Sequence, residues 1–301
     1  MRNAETVKDG SWYGGKPLWV LAEQQKMLTA NFYWVGSEAD IEGTLPTYYY
    51  SYNEDIKIDR RIQIVVDWLQ LPEEKRPHLI TFYLPEVDHE GHSSGPDDPK
   101  TGNKVRWLDS SLKKLTDAVK KTGLPVNFIL VSDHGMTNVD TENTLSMPAA
   151  IDTTRFIIPR GSELLSLYAK NKEDIIPTYE KLKKEEKYFK TYLKSEMPDR
   201  LHYGEKDDKY NRIGDILLIP EWPKFFHFSS RKANPGAHGY DPFLVKDMGA
   251  SFFAWGPAFK KDLKIPSFEN VNVFPVVARM LDLKYFHAID GTNELAESIL
   301  K

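Results

Sequence analysis

Hydrophobic positions follow two different periods along the first half of the chain. Apolar residues recur at intervals of three and four over residues 58–70 and again over 105–119, which predicts two amphipathic helices. Residues 78–84 and 126–131 are instead uninterrupted runs rich in β-formers, which predicts two buried strands. Helices that alternate with wholly apolar strands are typical of a parallel sheet covered on both faces.

A different pattern follows in the middle of the chain. Residues 162–169, 189–197 and 214–221 are short β-forming segments separated by polar stretches. A helical pattern over 173–186 lies between the first two of these segments. This order predicts a small inserted α+β subdomain over residues 150–225.

The layered pattern returns near the carboxyl terminus, with a strand predicted at 250–255 and a helix at 271–281. We therefore expect an α/β core formed by residues 1–149 and 226–301, with the region between them inserted as a subdomain. The core is expected to hold a mostly parallel central sheet between helices.

The amino-terminal region is rich in aromatic and turn-forming residues over 1–55, with a short helix predicted at Glu23–Leu28. Residues 1–6 contain no hydrophobic signal core. No strand and no capped element is predicted before Trp12, so we expect the chain to start late in its domain.

Composition excludes several classes of function. Net charge is −4 with no basic surface predicted, so nucleic-acid binding is not expected. The chain contains no cysteine, which excludes thiolate zinc sites, cysteine nucleophiles and disulfides. Its longest apolar runs are far too short to span a bilayer. Hydrophobic residues make up 41% of the sequence, enough for a sizeable core.

Candidate metal ligands follow the predicted strands. Asp88 and His92 come after the strand at 78–84, where Gly91 is expected to permit a tight turn. Asp133 and His134 end the strand at 126–131. Ligands gather at the carboxyl ends of parallel strands, and carboxylate with imidazole suits zinc, manganese or iron.

His238 lies between Ala237 and Gly239 in a glycine-rich turn. Each candidate has an ordinary alternative when taken alone. Asp88 and His92 would form a surface pair, Asp133 would cap a helix, and His238 would be a turn histidine. The occurrence of all three segments in one chain favours a metal site over these alternatives.

Three segments together resemble a known family. They are EVDHEGH at 86–92, VSDHGM at 131–136 and GAHGYDP at 236–242. In this order they are similar to the type I phosphodiesterase/nucleotide pyrophosphatase family of the alkaline phosphatase superfamily. The resemblance extends to residues 36–39 and 268–272 and covers nearly all of the chain.

The resemblance implies two divalent metals, zinc being the first choice. Asp88, His92 and His238 would hold one ion, and Asp133 with His134 would hold the other. In the family the second metal takes a further aspartate and contacts a threonine nucleophile, both from an amino-terminal strand and helix. No segment here matches that pattern, so we assign no catalytic nucleophile and expect the second site to be incomplete.

The implied activity is metal-dependent hydrolysis of phosphodiester or pyrophosphate bonds, with this chain alone inactive or nearly so. Substrates would be nucleotides or other small phosphodiesters. The alternatives are a phosphomonoesterase or phosphonate hydrolase of the same superfamily, and a non-catalytic metal-binding module. A sulfatase is disfavoured because the chain has no cysteine.

Tyr83 is expected either to stack against the substrate's base or to be a core tyrosine. The resemblance further implies an alkaline-phosphatase-like fold and a periplasmic or extracellular location. Absence of the first central strand would leave apolar sheet exposed. We therefore expect a companion amino-terminal fragment or a homo-oligomer.

Overall fold

The computed structural model describes residues 4–301, which divide into two compact units. The first consists of residues 4–85, Arg106–Asp133 and Phe252–Lys301, and the second of Glu86–Val105 and His134–Ser251. The α-helices are α1 Leu18–Gln24, α2 Ile58–Leu69, α3 Glu86–Ser94, α4 Pro99–Lys120, α5 Ile175–Glu185, α6 Val273–Met280 and α7 Glu294–Ile299. The strands are β1 Thr29–Phe32, β2 Tyr48–Tyr50, β3 Leu79–Phe82, β4 Phe128–Val131, β5 Thr137–Asn138, β6 Phe156–Ile157, β7 Leu165–Ala169, β8 Phe189–Leu193, β9 Ile216–Pro220, β10 Gly236–Ala237 and β11 Phe252–Trp255.

The first unit contains a three-stranded parallel sheet in the order β2-β1-β3. Every residue of the central strand β1 is buried. Phe32 from this strand packs with Trp68 of α2 and with Leu115 and Val119 in one core cluster. These are the apolar positions that the helical spacing selects, so burial of one face stabilises both helices against the sheet.

A second sheet in the same unit pairs β4 with β11 in antiparallel orientation. Within residues 4–301, β3 pairs with β1 alone and β4 with β11 alone, so each strand has one open edge. All eight residues of these two strands are half-buried. The predicted parallel sheet is therefore present as β2-β1-β3, while β4 and β11 form a separate antiparallel pair.

The second unit contains a four-stranded antiparallel sheet in the order β6-β7-β9-β8. Leu165, Leu167, Ile216 and Leu218 point to one face and pack with Leu182 of α5 in a single core cluster. The opposite face carries a separate cluster formed by Met197, Ile213 and Leu217. Both faces of the sheet are therefore covered by apolar side chains. This explains why consecutive residues of β9 are apolar and do not alternate with polar residues.

Three local predictions require correction. The short helix lies at Leu18–Gln24 and not at Glu23–Leu28, because Lys26 adopts a positive φ of 64° that ends it. A 3₁₀ turn at Ala4–Lys8 does precede Trp12, which itself ends a second, capped turn at Gly10–Trp12, where the Asp9 carboxylate accepts a hydrogen bond from the Ser11 amide at 3.0 Å. The strand predicted over 189–197 ends at Leu193, where a 3₁₀ turn begins.

Helix α3 corrects a fourth prediction, because the segment in which Gly91 was expected to permit a tight turn is helical from Glu86 to Ser94. Glu86 and Asp88 lie in its first turn, where carboxylates interact favourably with the helix dipole. Gly91 is buried inside the helix, and a Cβ there would lie only 3.2 Å from the Met136 methyl. The glycine therefore permits close packing of the helix and is not a turn residue.

No helix in residues 4–301 is long and apolar enough to cross a membrane.

Replacing Lys224 with methionine is expected to raise the pKa of Asp140. The Lys224 ammonium donates to Asp140 at 2.6 Å, and with backbone and side-chain donors of Asn143 it lowers that pKa from 3.8 to about 2. A carboxyl whose pKa is lower in the folded state than in the unfolded state stabilises the fold at pH values above the unfolded-state pKa. This stabilisation is lost as the pH falls towards 2. Carbon-13 NMR titration of the Asp140 carboxyl should show an upward shift in the variant. An unchanged titration would contradict the assigned cause.

Candidate metal centre

Helix α3 supplies two of the predicted ligands. Asp88 and His92 are four residues apart and therefore lie on the same face, one turn from each other. The His92 ring Nδ1 lies 2.9 Å from the Gly236 carbonyl oxygen. An N–H at Nδ1 donates to this carbonyl and leaves the Nε2 lone pair available.

His134 is held by the chain that follows β4. The Gly135 amide donates to the Met248 carbonyl at 3.1 Å, and a Cβ at Gly135 would lie 1.9 Å from the Asp247 carbonyl oxygen. Only glycine fits this approach of two backbones. The His134 Nδ1 lies 2.8 Å from the Gly135 carbonyl, so its Nε2 is also left available as an acceptor.

His238 directly follows β10, which pairs with β5 in antiparallel register. Gly239 adopts a φ of +102°, a conformation that side chains other than hydrogen rarely take, and the chain turns there. The predicted glycine-rich turn is therefore present around His238.

The Asp88 carboxylate is the common neighbour of three imidazoles. Its Oδ1 atom lies 3.6 Å from Nε2 of His92, 3.8 Å from Nε2 of His238 and 4.0 Å from Nε2 of His134. The rings of His134 and His238 stack with centroids 3.5 Å apart. We call Asp88, His92, His134 and His238 the histidine–aspartate cluster.

These distances test whether the cluster fits a metal ion. They are too long for hydrogen bonds, and Oδ1 of Asp88 is buried with no hydrogen-bond partner within residues 4–301. Two ligand atoms that each lie about 2.0–2.1 Å from one ion are at most about 4.2 Å apart. All three separations satisfy that limit. Ligand atoms of Asp88, His134 and His238 all lie within 4.8 Å of one another.

The cluster is also open to ligands. The four side chains retain 27–34% of their exposure, so solvent reaches the cluster although Oδ1 of Asp88 itself is buried. Nitrogen and oxygen donors without thiolate suit zinc and other borderline divalent metals, and catalytic zinc sites keep one position accessible. The residues present therefore fit a divalent ion.

The structure groups the candidate ligands differently in one respect from the grouping predicted from the sequence. Asp88, His92 and His238 were predicted to share one ion, and His134, assigned to a second ion, lies beside the same carboxylate. The three residues whose ligand atoms all lie within 4.8 Å of one another are Asp88, His134 and His238, so this set includes His134 in place of His92. The Gly135 and Gly236 carbonyls that orient the rings were not predicted. Their only sequence signal is a glycine next to or two residues before a candidate histidine.

Asp133 and Tyr83 belong to the first unit. Asp133 immediately precedes His134 in the chain, and its role as a ligand stays a prediction. Tyr83 follows β3 and packs against the core cluster around Phe32, and its amide donates to the Phe32 carbonyl at 3.0 Å. This packing agrees with a core tyrosine, and contact with a substrate's base stays a prediction.

The sequence of the chain is similar to those of known phosphodiesterases. Residues 1–241 match the family model for type I phosphodiesterase/nucleotide pyrophosphatase. A venom phosphodiesterase from Crotalus durissus collilineatus is 32% identical over 99% of this chain and 37% of its own length. Human ectonucleotide pyrophosphatase/phosphodiesterase family member 1 is 32% identical over 90% of this chain and 30% of its own length. The chain thus spans about a third of these curated relatives.

Solved structures extend the likeness to the fold. Murine ectonucleotide pyrophosphatase/phosphodiesterase 5 superposes with a TM-score of 0.89 at 25% identity, over 98% of this chain and 78% of that one. An inactive form of the same murine protein in complex with AMP gives a TM-score of 0.88 over 98% and 77% of the two chains. The predicted alkaline-phosphatase-like α/β fold is confirmed by these superpositions, and the chain belongs to the type I phosphodiesterase/nucleotide pyrophosphatase family.

Proposed function

We propose that this chain carries the metal-binding centre of a hydrolase that acts on phosphodiester or pyrophosphate bonds of small molecules, nucleotides above all. The observation that carries the proposal is the convergence of three imidazole Nε2 atoms on the buried carboxylate of Asp88, at 3.6–4.0 Å. Membership of the phosphodiesterase family and the AMP complex of the murine relative support the substrate class.

Asp88 would be the anionic ligand, and His92, His238 and His134 the neutral ones, with Asp133 as a further candidate. A divalent metal such as zinc would supply Lewis acidity at the phosphoryl oxygens. Two of the three histidines are oriented before any ion binds, because the Gly236 and Gly135 carbonyls accept from the Nδ1 atoms of His92 and His134. One carboxylate and neutral imidazoles do not neutralise a dication, so this cluster favours an anionic phosphate as its additional ligand.

The test is binding of AMP to the purified chain by calorimetry, with and without zinc. We expect AMP to bind only in the presence of the metal. No threonine of this chain is assigned as nucleophile, so hydrolysis of bis(4-nitrophenyl) phosphate should stay at background for the chain alone. Absence of AMP binding at saturating zinc would refute the substrate class, and robust turnover of the diester would refute the inactivity.

We propose further that a companion β-strand completes the first unit. The open edges of β3 and β4 support this proposal, and side chains of both strands pack against the same core cluster around Phe32. A strand that pairs with both edges would satisfy their free backbone groups. A homo-oligomer would cover the same edges with a second copy.

Hydrogen exchange measures whether these edges are covered. At low concentration, open-edge amides of β3 and β4 are expected to exchange at least about tenfold faster than amides of the central strand β1. Protection that rises with protein concentration would favour the homo-oligomer. Equal protection of all three strands in a monomer would contradict the open edges.

The domain boundaries belong to the same proposal. Strands β6 to β9 and helix α5 all lie between Phe156 and Pro220, which supports an inserted subdomain over residues 150–225 within a core of 1–149 and 226–301. The compact second unit is larger than this region, because it also takes in Glu86–Val105 and the rest of His134–Ser251. The names of the venom and ectonucleotide relatives support a location outside the cytoplasm, periplasmic or extracellular.

A further inference from the structure

A cavity of about 550 Å³ lies within the second unit, which is within the range of small-molecule sites. It adjoins the face of the four-stranded sheet opposite α5, where Tyr192 of β8 and Ile219 of β9 project. Its other walls come from the segment around Met197 and Leu201 and from the loop that follows His238.

The cavity walls are mainly apolar and aromatic. The lining side chains that would contact an apolar ligand are Leu164, Tyr192, Met197, Leu201, Ile219 and Tyr240. Such walls hold the body of an organic molecule and leave its orientation to a few polar groups.

The charged side chains of the lining are mostly paired. Arg200 contacts Asp241 at 2.6 Å, and Lys190 lies 3.6 Å from Glu221. Glu163 also lines the cavity and has no ion-pair partner at salt-bridge distance within residues 4–301. The paired charges cancel, so the lining is left with one uncompensated carboxylate.

Glu163 lies well inside this apolar environment. Burial raises the pKa of its carboxyl, and the hydrogen bond from its own backbone amide and the charge interaction with His92 only partly oppose that effect. The same carboxylate adds to the rise in the pKa of the buried Tyr240 hydroxyl. A Cβ at Gly239 would lie 3.6 Å from the Glu163 Cβ, which places this residue against the His238 loop.

We propose that this cavity binds an organic cation with an apolar body, whose ammonium group pairs with the Glu163 carboxylate. A carboxylate in an apolar wall is costly alone, and a cation that reaches it repays the cost through a charge-assisted hydrogen bond. An anionic ligand would meet Glu163 without a compensating positive charge. The proposal does not rest on the proposed function, because binding here requires no metal and no hydrolysis.

The test compares three probes of matched size by calorimetry on the metal-free chain: phenethylammonium, 2-phenylethanol and 3-phenylpropionate. We expect the ammonium to bind at least about tenfold more tightly than the carboxylate. Replacing Glu163 with glutamine should weaken ammonium binding about tenfold and change 2-phenylethanol binding less than about twofold.

Two further variants keep the test decisive. Glu180→Gln changes an exposed carboxylate on α5 and should leave all three affinities unchanged. Leu201→Trp should fill the cavity and weaken all three probes. Equal affinities for the three probes would overturn the proposal. A Glu163→Gln variant that loses zinc affinity but keeps ammonium affinity would also overturn it, because Glu163 would then serve the metal centre.

Discussion

Replacing Asp88 with asparagine is expected to lower the zinc affinity of the chain at least about 100-fold. Asp88 supplies the negative charge of the histidine–aspartate cluster, and its Oδ1 atom is the one from which all three Nε2 distances are short. Loss of groups that merely orient metal ligands already costs about 10–100-fold, so loss of the anionic ligand should cost more. Competition with a chromogenic chelator measures the affinity.

The same variant separates a metal site from a structural one. In the metal-free chain Oδ1 of Asp88 is buried without a hydrogen-bond partner, so a neutral amide should leave the melting temperature unchanged or raise it. The rise in melting temperature on zinc addition should disappear. Glu90→Gln is the control, a half-buried carboxylate on the same helix that accepts a hydrogen bond from the Ser94 hydroxyl at 2.7 Å, and it should keep both affinity and the zinc effect. A destabilised metal-free Asp88→Asn variant with normal zinc affinity would assign Asp88 a structural role.

Replacing Gly236 with alanine is expected to destabilise the chain by about 3 kcal/mol and to weaken metal binding at the same time. A Cβ at this position would lie 1.9 Å from the Gly91 carbonyl oxygen and 3.2 Å from the His92 Cα. The neighbouring atoms are backbone, so α3 or β10 has to move. Either movement breaks the contact between the Gly236 carbonyl and the His92 ring.

Chemical denaturation and zinc titration of the Gly236→Ala variant measure the two effects. Gly15→Ala is the matched control, because a Cβ there meets nothing within 4 Å and the backbone is not in the left-handed region. The control should unfold within about 1 kcal/mol of the parent chain. Wild-type stability in Gly236→Ala would show that α3 and β10 do not pack as closely as described.

Patterns of apolar residues were sufficient to predict the elements whose burial is local. Ile62, Val65 and Leu69 recur at helical spacing and lie buried on one face of α2. Strand β9 is an apolar run because both of its faces are covered within one unit. In such elements the side chains that stabilise the structure are the same apolar residues whose spacing in the sequence predicts the element.

Helix α3 could not be predicted in this way. Its segment contains a glycine and few apolar residues, and only Gly91 is buried. The helix is held by packing of Gly91 against Met136 and Gly236, residues that are distant in the chain. Such tertiary contacts leave no periodic signal, so Asp88 and His92 were predicted as ligands while their helical setting was not.

The chemistry of the centre was more predictable than its grouping. Five ligand candidates could be identified from residue types and motif order. That His134 stacks on His238 depends on the paths of β5 and β10, which are two-residue strands that no window of sequence reveals. The sequence predicted that part of an apolar sheet would be exposed, but it did not identify β3 and β4 as the strands with open edges.

The pairing of β4 with β11 has a consequence for biosynthesis. Phe128 pairs with Trp255, and nearly the whole second unit is encoded between these partners. During translation, the four-stranded sheet of Leu165–Pro220 can therefore form before the partner strand of β4 has been synthesised. Until β11 leaves the ribosome, both edges of β4 are exposed. Neighbouring nascent chains that are translated from the same messenger RNA can therefore aggregate through this strand during that interval.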